Sequence, residues 1–328
     1  MPSYFLSAIC FIRRLKCLSA QVEEPTYYSE WFFNRLKAGF ALVRNPMNAK
    51  QISEINLTPD VVDGFVFWTK NPVPMLDKLK LLGNYGYQDS YYFQFTVNSY
   101  GKEIERGVPS KKNRVIPAFE ALSDMIGPER VIWRYDPIFV NKTYNVEYHV
   151  KYFEELAKRL SKYTKKCTFS FLDFYRSTER NISGLDIEPL TPEIQENIAA
   201  RLAEIARRYN SAVDACAEAV DLEKYGIQRA RCIDDRLCGK LLNRRLNVKK
   251  DENRRAYCGC AESVDAGAYN GCKNGYLYCY ANFSSKSATK NFCRHAPNSP
   301  LLFGELGEGE MPKKRKMEKH SAGQTTIF

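Results

Sequence analysis

The sequence predicts an α/β fold: a partial TIM-type β/α barrel with a cysteine-rich extension towards its C-terminus. Two observations carry this reading. From about residue 40 to about residue 218, short β-branched and aromatic runs alternate with longer segments of helical period, the pattern of repeated β-α units around a parallel sheet. Beyond that region Cys258, Cys260, Cys272, Cys279 and Cys293 crowd into one short stretch. An open doubly wound sheet is the competing architecture.

In chain order, residues 1–24 form an atypical N-terminal segment. Its apolar run Ser3 to Ile12 is followed, not preceded, by Arg13, Arg14 and Lys16, an order that argues against a secretion signal. Residues 25–250 form the barrel-like domain. Its expected strands are Phe40 to Val43, Gly64 to Trp68, Tyr91 to Val97, Arg130 to Tyr135, Thr168 to Leu172 and Ala212 to Ala215. Between them, Pro74 to Leu82, Lys111 to Ile126, Val146 to Tyr163 and Pro192 to Tyr209 repeat apolar residues at three and four positions and are expected as crossover helices. The last is well marked, with Thr191 as cap, Pro192 at the first helical position and Glu193 at the positive end of the dipole. Six strands are fewer than a closed eight-stranded barrel needs, hence the expectation of a partial one. Residues 251–305 are the cysteine-rich segment and residues 306–328 a basic flexible tail.

The 328 residues, 44% of them hydrophobic and 13% aromatic, supply ample material for a folded body. No run of about 18 apolar residues is present, which excludes a membrane-spanning helix. The formal charge of +11 suggests an acidic partner such as nucleic acid, although part of it sits in the stretch Lys313 to Lys319, where a solvated end is the plainer explanation. Without a secretion signal the expected compartment is the reducing cytoplasm, and clustered thiols then read as metal ligands before disulfides.

Several expected strands end in polar residues: Thr69-Lys70-Asn71-Pro72, Arg134-Tyr135-Asp136-Pro137, Asp173 after Phe171, and Cys216 and Glu218 after Val213. In a β/α barrel such ends open on one face, where active sites are built. Lys70 and Asn71 suit an anionic or polar ligand, against the plainer reading of a strand-to-helix turn. Arg134 and Asp136 share one side of their strand and could bind the carboxylate or ribose of a nucleoside cofactor, against the alternative of a structural ion pair. No residue is singled out as catalytic. His149 reads as structural, and His295 at most as an accessory ligand beside Cys293.

Cys258, Cys260, Cys272 and Cys279 are the expected metal ligands. Zinc sites usually show two close pairs, two to four residues apart; here one pair is separated by a single residue and the other by six, so zinc fits poorly and an iron–sulfur cluster better. Cys10, Cys17, Cys167 and Cys238 are scattered and read as ordinary thiols, and the isolated Cys216 and Cys232 as packing residues.

The strings Tyr28-Ser29-Glu30-Trp31-Phe32, Val43-Arg44-Asn45-Pro46-Met47-Asn48, Phe67-Trp68-Thr69-Lys70-Asn71-Pro72, Trp133-Arg134-Tyr135-Asp136-Pro137-Ile138, Cys216-Ala217-Glu218, Cys232-Ile233-Asp234 and Cys279-Tyr280-Ala281-Asn282 resemble, in order, the domain-of-unknown-function 1848 family. That family's C-terminal cysteines look like the cluster motif of radical S-adenosylmethionine enzymes. The resemblance implies a 4Fe-4S iron–sulfur cluster held by three thiolates, with one iron open to S-adenosylmethionine, whose reductive cleavage would give a 5′-deoxyadenosyl radical acting on a nucleic-acid-related or other polar substrate. The chain departs from the family pattern twice. Tyr276 stands where the middle cysteine is expected, leaving Cys272 and Cys279, with Cys258 and Cys260 as substitutes in either a three-cysteine site or a closed four-cysteine cluster. Residues Met1 to Glu24 differ from the family's opening strand and basic turn; a missing first strand would leave a gap in the barrel and remove candidate ligand-binding arginines. The alternatives are a non-enzymatic iron–sulfur or zinc module attached to DNA-processing machinery, and an inactive degenerate copy. The terminal Gln324-Thr325-Thr326-Ile327-Phe328 resembles the peptide that docks on the DNA sliding clamp, with Gln324, Ile327 and Phe328 as contacts.

Overall fold

The computed structural model describes residues 9–12, 16–18, 23–246, 248–252 and 254–315. In chain order its strands are β1 (Ile9–Ile12), β2 (Lys16–Leu18), β3 (Phe40–Asn45), β4 (Asn48–Asn56), β5 (Gly64–Thr69), β6 (Tyr91–Thr96), β7 (Val131–Ile138), β8 (Lys166–Phe171), β9 (Ala212–Ala215), β10 (Gln228–Arg229), β11 (Ser263–Asp265) and β12 (Lys313–Lys314). Strands β5 to β10 are parallel and lie side by side in sequence order. Beyond β5 the sheet continues through β1, which is antiparallel to it, then β11 and β2. The parallel part has no reversal of strand order, which a doubly wound sheet requires. No closed barrel is seen among the described residues.

One expected strand is misplaced. Phe40 to Val43 belongs not to the parallel sheet but to a separate three-stranded sheet, order β12-β4-β3, in which β3 and β4 form an antiparallel hairpin. The cause is local: Asn45-Pro46-Met47-Asn48 makes the turn, with the Asn45 side chain accepting the Met47 N–H at 2.9 Å. The sixth parallel strand is β10, too short to show a period. The N-terminal segment, expected to lack its strand, supplies β1, which pairs antiparallel with β5.

The helices follow the expected grammar with trimmed ends. Val146–Leu160 is capped by Asn145 and Pro192–Arg208 by Thr191, each side chain accepting a first-turn N–H. Lys111 to Ile126 divides into a π turn, Lys111–Val115, and a helix, Ile116–Ile126. Pro74 to Leu82 shortens to one helical turn, Val73–Leu76, followed by a 3-10 segment, Leu79–Tyr85. A helix the alternation did not reveal, Ser29–Ala38, buries Trp31, Phe32, Phe33 and Leu36 in the main core.

Strand period two divides the sheet's faces. Phe65, Phe67, Phe93, Phe95, Trp133 and Phe169 point into a large core shared with Phe119, Phe153 and Leu202 of the helices. Their neighbours Val66, Tyr92 and Ile132 point the other way, onto a second cluster made with Cys232, Ile233, Cys238, Cys258 and Cys260. This second face is covered by loops and the short helix Asp235–Leu241, and its polar residues Gln94, Arg134, Thr168 and Asp214 find their partners there. The cysteine-rich segment is thus part of the body. It contributes β11, and the Trp31 indole N–H donates to the Ser299 carbonyl at 2.8 Å.

His149 is structural, as expected. It is fully buried, donates from Nε2 to the Phe139 carbonyl at 2.8 Å, and therefore accepts from the Tyr135 hydroxyl at Nδ1, 3.0 Å away. Burial lowers its pKa to about 4, against the opposing pull of the Phe139 carbonyl. Because the folded value lies below the ordinary 6.5, stability is fully present above pH 6.5 and drains as the pH falls towards 4, by up to about 3 kcal/mol. Urea unfolding of the parent and of His149→Asn between pH 7 and pH 4 should show the steeper loss in the parent; parallel curves would refute this.

Candidate functional site

The C-terminal ends of β5 to β9 open on a cleft of about 250 Å³, lined by residues that include Lys70, Arg134, Asp136, Asp173, Arg255 and the thiols of Cys216, Cys232, Cys258, Cys260, Cys272 and Cys279. Such an edge of a parallel sheet is where ligand sites form, because strand-end side chains converge there on loops that are free to vary.

Behind the part of the lining formed by Lys70, Tyr276 and Tyr278 lies an ion network around Glu105. Its fully buried carboxylate pairs with Lys70 Nζ at 2.9 Å and Lys111 Nζ at 2.6 Å and accepts the Tyr278 hydroxyl. Burial alone would raise its pKa; the two lysines outweigh it and bring it down to about 2. Lys70 also lies over the rings of Tyr276 and Tyr278, 5.0 and 5.6 Å from their centroids. The loop carrying Glu105 comes close enough to the cysteine-rich segment that Gly107 donates to the Asn274 carbonyl at 2.7 Å. A Cβ on Gly107 would meet that backbone at 2.6 Å, so only glycine fits.

Next to this network Glu23 collects donors from both ends of the chain. Oε1 accepts Thr69 Oγ1 at 2.7 Å and the Lys70 and Asn71 amides; Oε2 accepts Asn274 Nδ2 and the Tyr276 hydroxyl, each at 2.8 Å. Tyr276 also receives Asn274 Nδ2 at 2.5 Å. Burial, with Glu23 close by, raises the Tyr276 phenol well above its ordinary value, so it stays protonated. Cys272 and Cys279 lie beside the same carboxylate, both raised by burial in the first place.

The opposite wall carries the other thiols. Cys216 Sγ is 3.3 Å from Cys232 Sγ, Cys232 meets Cys260, and Cys260 meets Cys258. The Cys216 bond favours the Cys232 thiolate, but the contact with Cys260 and burial push Cys232 up to about 11. Likewise the Cys232 bond is outweighed at Cys260 by Cys258 and burial, reaching about 12. Arg134 Nη1 donates to Cys232 Sγ at 2.9 Å while its Nε and Nη2 hold Asp136 Oδ2 at 2.8 and 2.5 Å. Burial alone would raise Asp136; Arg134 first, then Ser170, holds it below the usual carboxylate range. Arg255 pairs with Asp173 and reaches Cys216 Sγ at 3.9 Å. Glu218, whose carboxyl accepts the Phe171 N–H at 2.9 Å, is pushed by burial to about 7.

Of the residues expected from sequence, Lys70, Arg134 and Asp136 line the cleft, whereas Asn71 serves through its main chain, holding Glu23 and Thr26. The expected metal ligands reach one cleft but divide between its walls. Cys258 and Cys260 join Cys216 and Cys232, and Cys272 and Cys279 face Glu23. Among the described residues no three His, Cys, Asp or Glu side chains are grouped so that they could hold a metal ion. His295 donates from Nδ1 to the Leu302 carbonyl at 2.8 Å and packs against Tyr28, while Cys293 is exposed, so neither lines the cleft. Sequence reasoning missed Glu23, Glu105 and Arg255, which carry no motif of their own. It took Cys216 and Cys232 as packing, although both lie in the family-like strings.

A family model described as "Domain of unknown function (DUF1848)" matches residues 17–281. The chain belongs to the DUF1848 family. No curated protein matches this DUF1848 chain in sequence. A solved structure of a candidate alpha-L-fucosidase from Bacteroides thetaiotaomicron is similar at 10% identity with a TM-score of 0.31, over 67% of this chain and 59% of that one. The chain thus spans about three fifths of that protein's length. No helix among the described residues is long and apolar enough to cross a membrane. Of the basic stretch Lys313 to Lys319, Lys313 and Lys314 form β12 beside β4. The clamp-like peptide with Gln324, Ile327 and Phe328 lies outside the described residues.

Replacing Glu105 leaves two lysine charges sharing a neutral amide in a buried network. Glu105→Gln should lower unfolding free energy by about 3–5 kcal/mol, measured by urea titration at pH 7. A loss below about 1 kcal/mol, the level of a surface pair, would show that the network is not buried in solution.

Proposed function

We propose that the cleft of this DUF1848 chain binds a small polar ligand with an anionic group, of nucleoside or amino-acid size. The observation that carries this reading is the convergence of strand-end charges on one cleft: Lys70 from β5, the Arg134–Asp136 pair from β7, and Asp173 after β8 with its partner Arg255. Guanidiniums held by carboxylates keep N–H groups fixed in direction, which suits carboxylate or phosphate recognition, and the carboxylates suit ribose hydroxyls or an amino group. The sequential parallel sheet reads, in the same proposal, as a β/α barrel left open on one side.

The radical S-adenosylmethionine chemistry of the resemblance needs three thiolates on one cluster and an open iron. Segment 272–279 offers two thiols and a protonated tyrosine whose hydroxyl is bound by Glu23 and Asn274. Cys258 and Cys260, the substitutes, are engaged with Cys232 on the other wall. These residues do not fit that cluster in its three-thiolate form. The chain is then a ligand-binding relative of radical-type iron–sulfur proteins.

Calorimetric titration with adenosine 5′-monophosphate, methionine and S-adenosylmethionine should give saturable binding for at least one, weakened about tenfold or more by Arg255→Gln, a loss of about 1.4 kcal/mol. No binding by any of them, or equal affinity in Arg255→Gln and Lys70→Met, would overturn the proposal. A second expectation concerns the cluster. Tyr276→Cys restores three thiols at spacings of three and two residues, and after anaerobic iron and sulfide treatment it should retain more iron and acid-labile sulfide than the parent. Equal content in the two would show that Tyr276 is no obstacle.

A further inference from the structure

Cys216, Cys232, Cys258 and Cys260 come from three separate loops, yet their thiols touch in series, and all four are free. A disulfide would place sulfurs about 2.05 Å apart, so the 3.3 Å contact of Cys216 and Cys232 is one between reduced thiols. Four sulfurs around a single tetrahedral metal with bonds of about 2.3 Å lie about 3.8 Å from one another, near the spacing of that pair. A cubane cluster seats each cysteine on a different iron and spreads the sulfurs further. The Cys216–Cys232 pair is thus spaced for one ion.

The surroundings are those of a thiolate centre. Two guanidiniums point at the sulfurs, Arg134 at Cys232 and Arg255 at Cys216, and would offset the charge of four thiolates on a divalent ion. The loops are also held in register. The Cys232 carbonyl accepts both the Tyr92 hydroxyl and Gln94 Nε2 at 2.7 Å, and the Ala261 N–H reaches the Ile233 carbonyl at 3.1 Å. Gly259 lets the Cys258–Cys260 turn press on the neighbouring loop, where a Cβ would stand 3.1 Å from the Ala230 carbonyl oxygen. Cys216 is followed by Ala217 at a φ of +59°, a left-handed conformation that a non-glycine residue seldom adopts.

We propose that Cys216, Cys232, Cys258 and Cys260 form a mononuclear tetrathiolate site for a thiophilic divalent metal, zinc in the first place, distinct from the Cys272–Cys279 wall. As the side chains stand, no three described His, Cys, Asp or Glu groups are gathered so as to hold a metal ion, so metal entry must draw the four sulfurs together around a centre. Metal entry exchanges four thiol protons, released to solvent, for four metal–sulfur bonds, with no change of oxidation state. The site goes beyond the ligand reading and stands whether or not the cleft binds a nucleoside.

The test is elemental analysis of protein purified anaerobically without chelator. About one zinc per chain is expected, falling below about a tenth in Cys232→Ser or Cys258→Ser and unchanged in Cys272→Ser, Cys279→Ser and the control Cys238→Ser. Since a ligand variant could fail to fold, the parent is also stripped and titrated with cobalt(II), which should give the intense visible bands of a tetrahedral thiolate complex, saturating at one equivalent and abolished by zinc. Retention of no metal and no cobalt bands, metal loss in the Cys272→Ser or Cys279→Ser variants in place of the four, or iron with acid-labile sulfide at these cysteines would each overturn the proposal.

Discussion

The guanidinium of Arg134, buried under the second face of a parallel sheet, sets the terms for what surrounds it. A charge removed from water must have its N–H groups matched. Here Asp136 takes two of them and the sulfur of Cys232 another. Asp136 in turn accepts from Ser170 on the next strand, and the Cys232 loop is pinned by Tyr92 and Gln94 from the strand before. One cation thereby fixes β6, β7, β8 and a thiol-bearing loop against one another.

Across the cleft the same physics is solved differently. Two lysines share one carboxylate, Glu105, and a second carboxylate, Glu23, takes neutral side-chain donors and main-chain amides from among the described residues. Tyr276 belongs to this hydrogen-bonded wall as a donor. A cysteine at that place would free the Glu23 oxygen and present a third sulfur, so the substitution exchanges one kind of wall for another.

The strands β5 to β8 could be read in the sequence because they are largely buried on both faces and therefore rich in β-branched and aromatic residues over most of their length. Phe40 to Val43 has the same composition and was placed in the wrong sheet: composition marks a strand, whereas its partner is chosen by the turn at Asn45. The strand-end residues Lys70, Arg134 and Asp136 were legible for the same reason as the strands that carry them. The grouping of the cysteines was not. Cys260 and Cys272 are near in sequence, but β11 lies between them and commits residues 263–265 to the main sheet, sending the two flanking loops to opposite walls. Cys216 and Cys232 reach Cys260 across a far longer stretch of chain, which spacing rules do not see.

The position of β11 bears on how the molecule is made. It lies between β1 and β2, so a strand formed late in synthesis is bordered on both sides by strands from the first twenty residues or so. These early strands leave the ribosome long before their neighbour exists, and loop closure over such a span is slow. Until residue 265 emerges, that edge of the sheet has unpaired backbone groups, an opening to which a chaperone or an aggregating neighbour could bind.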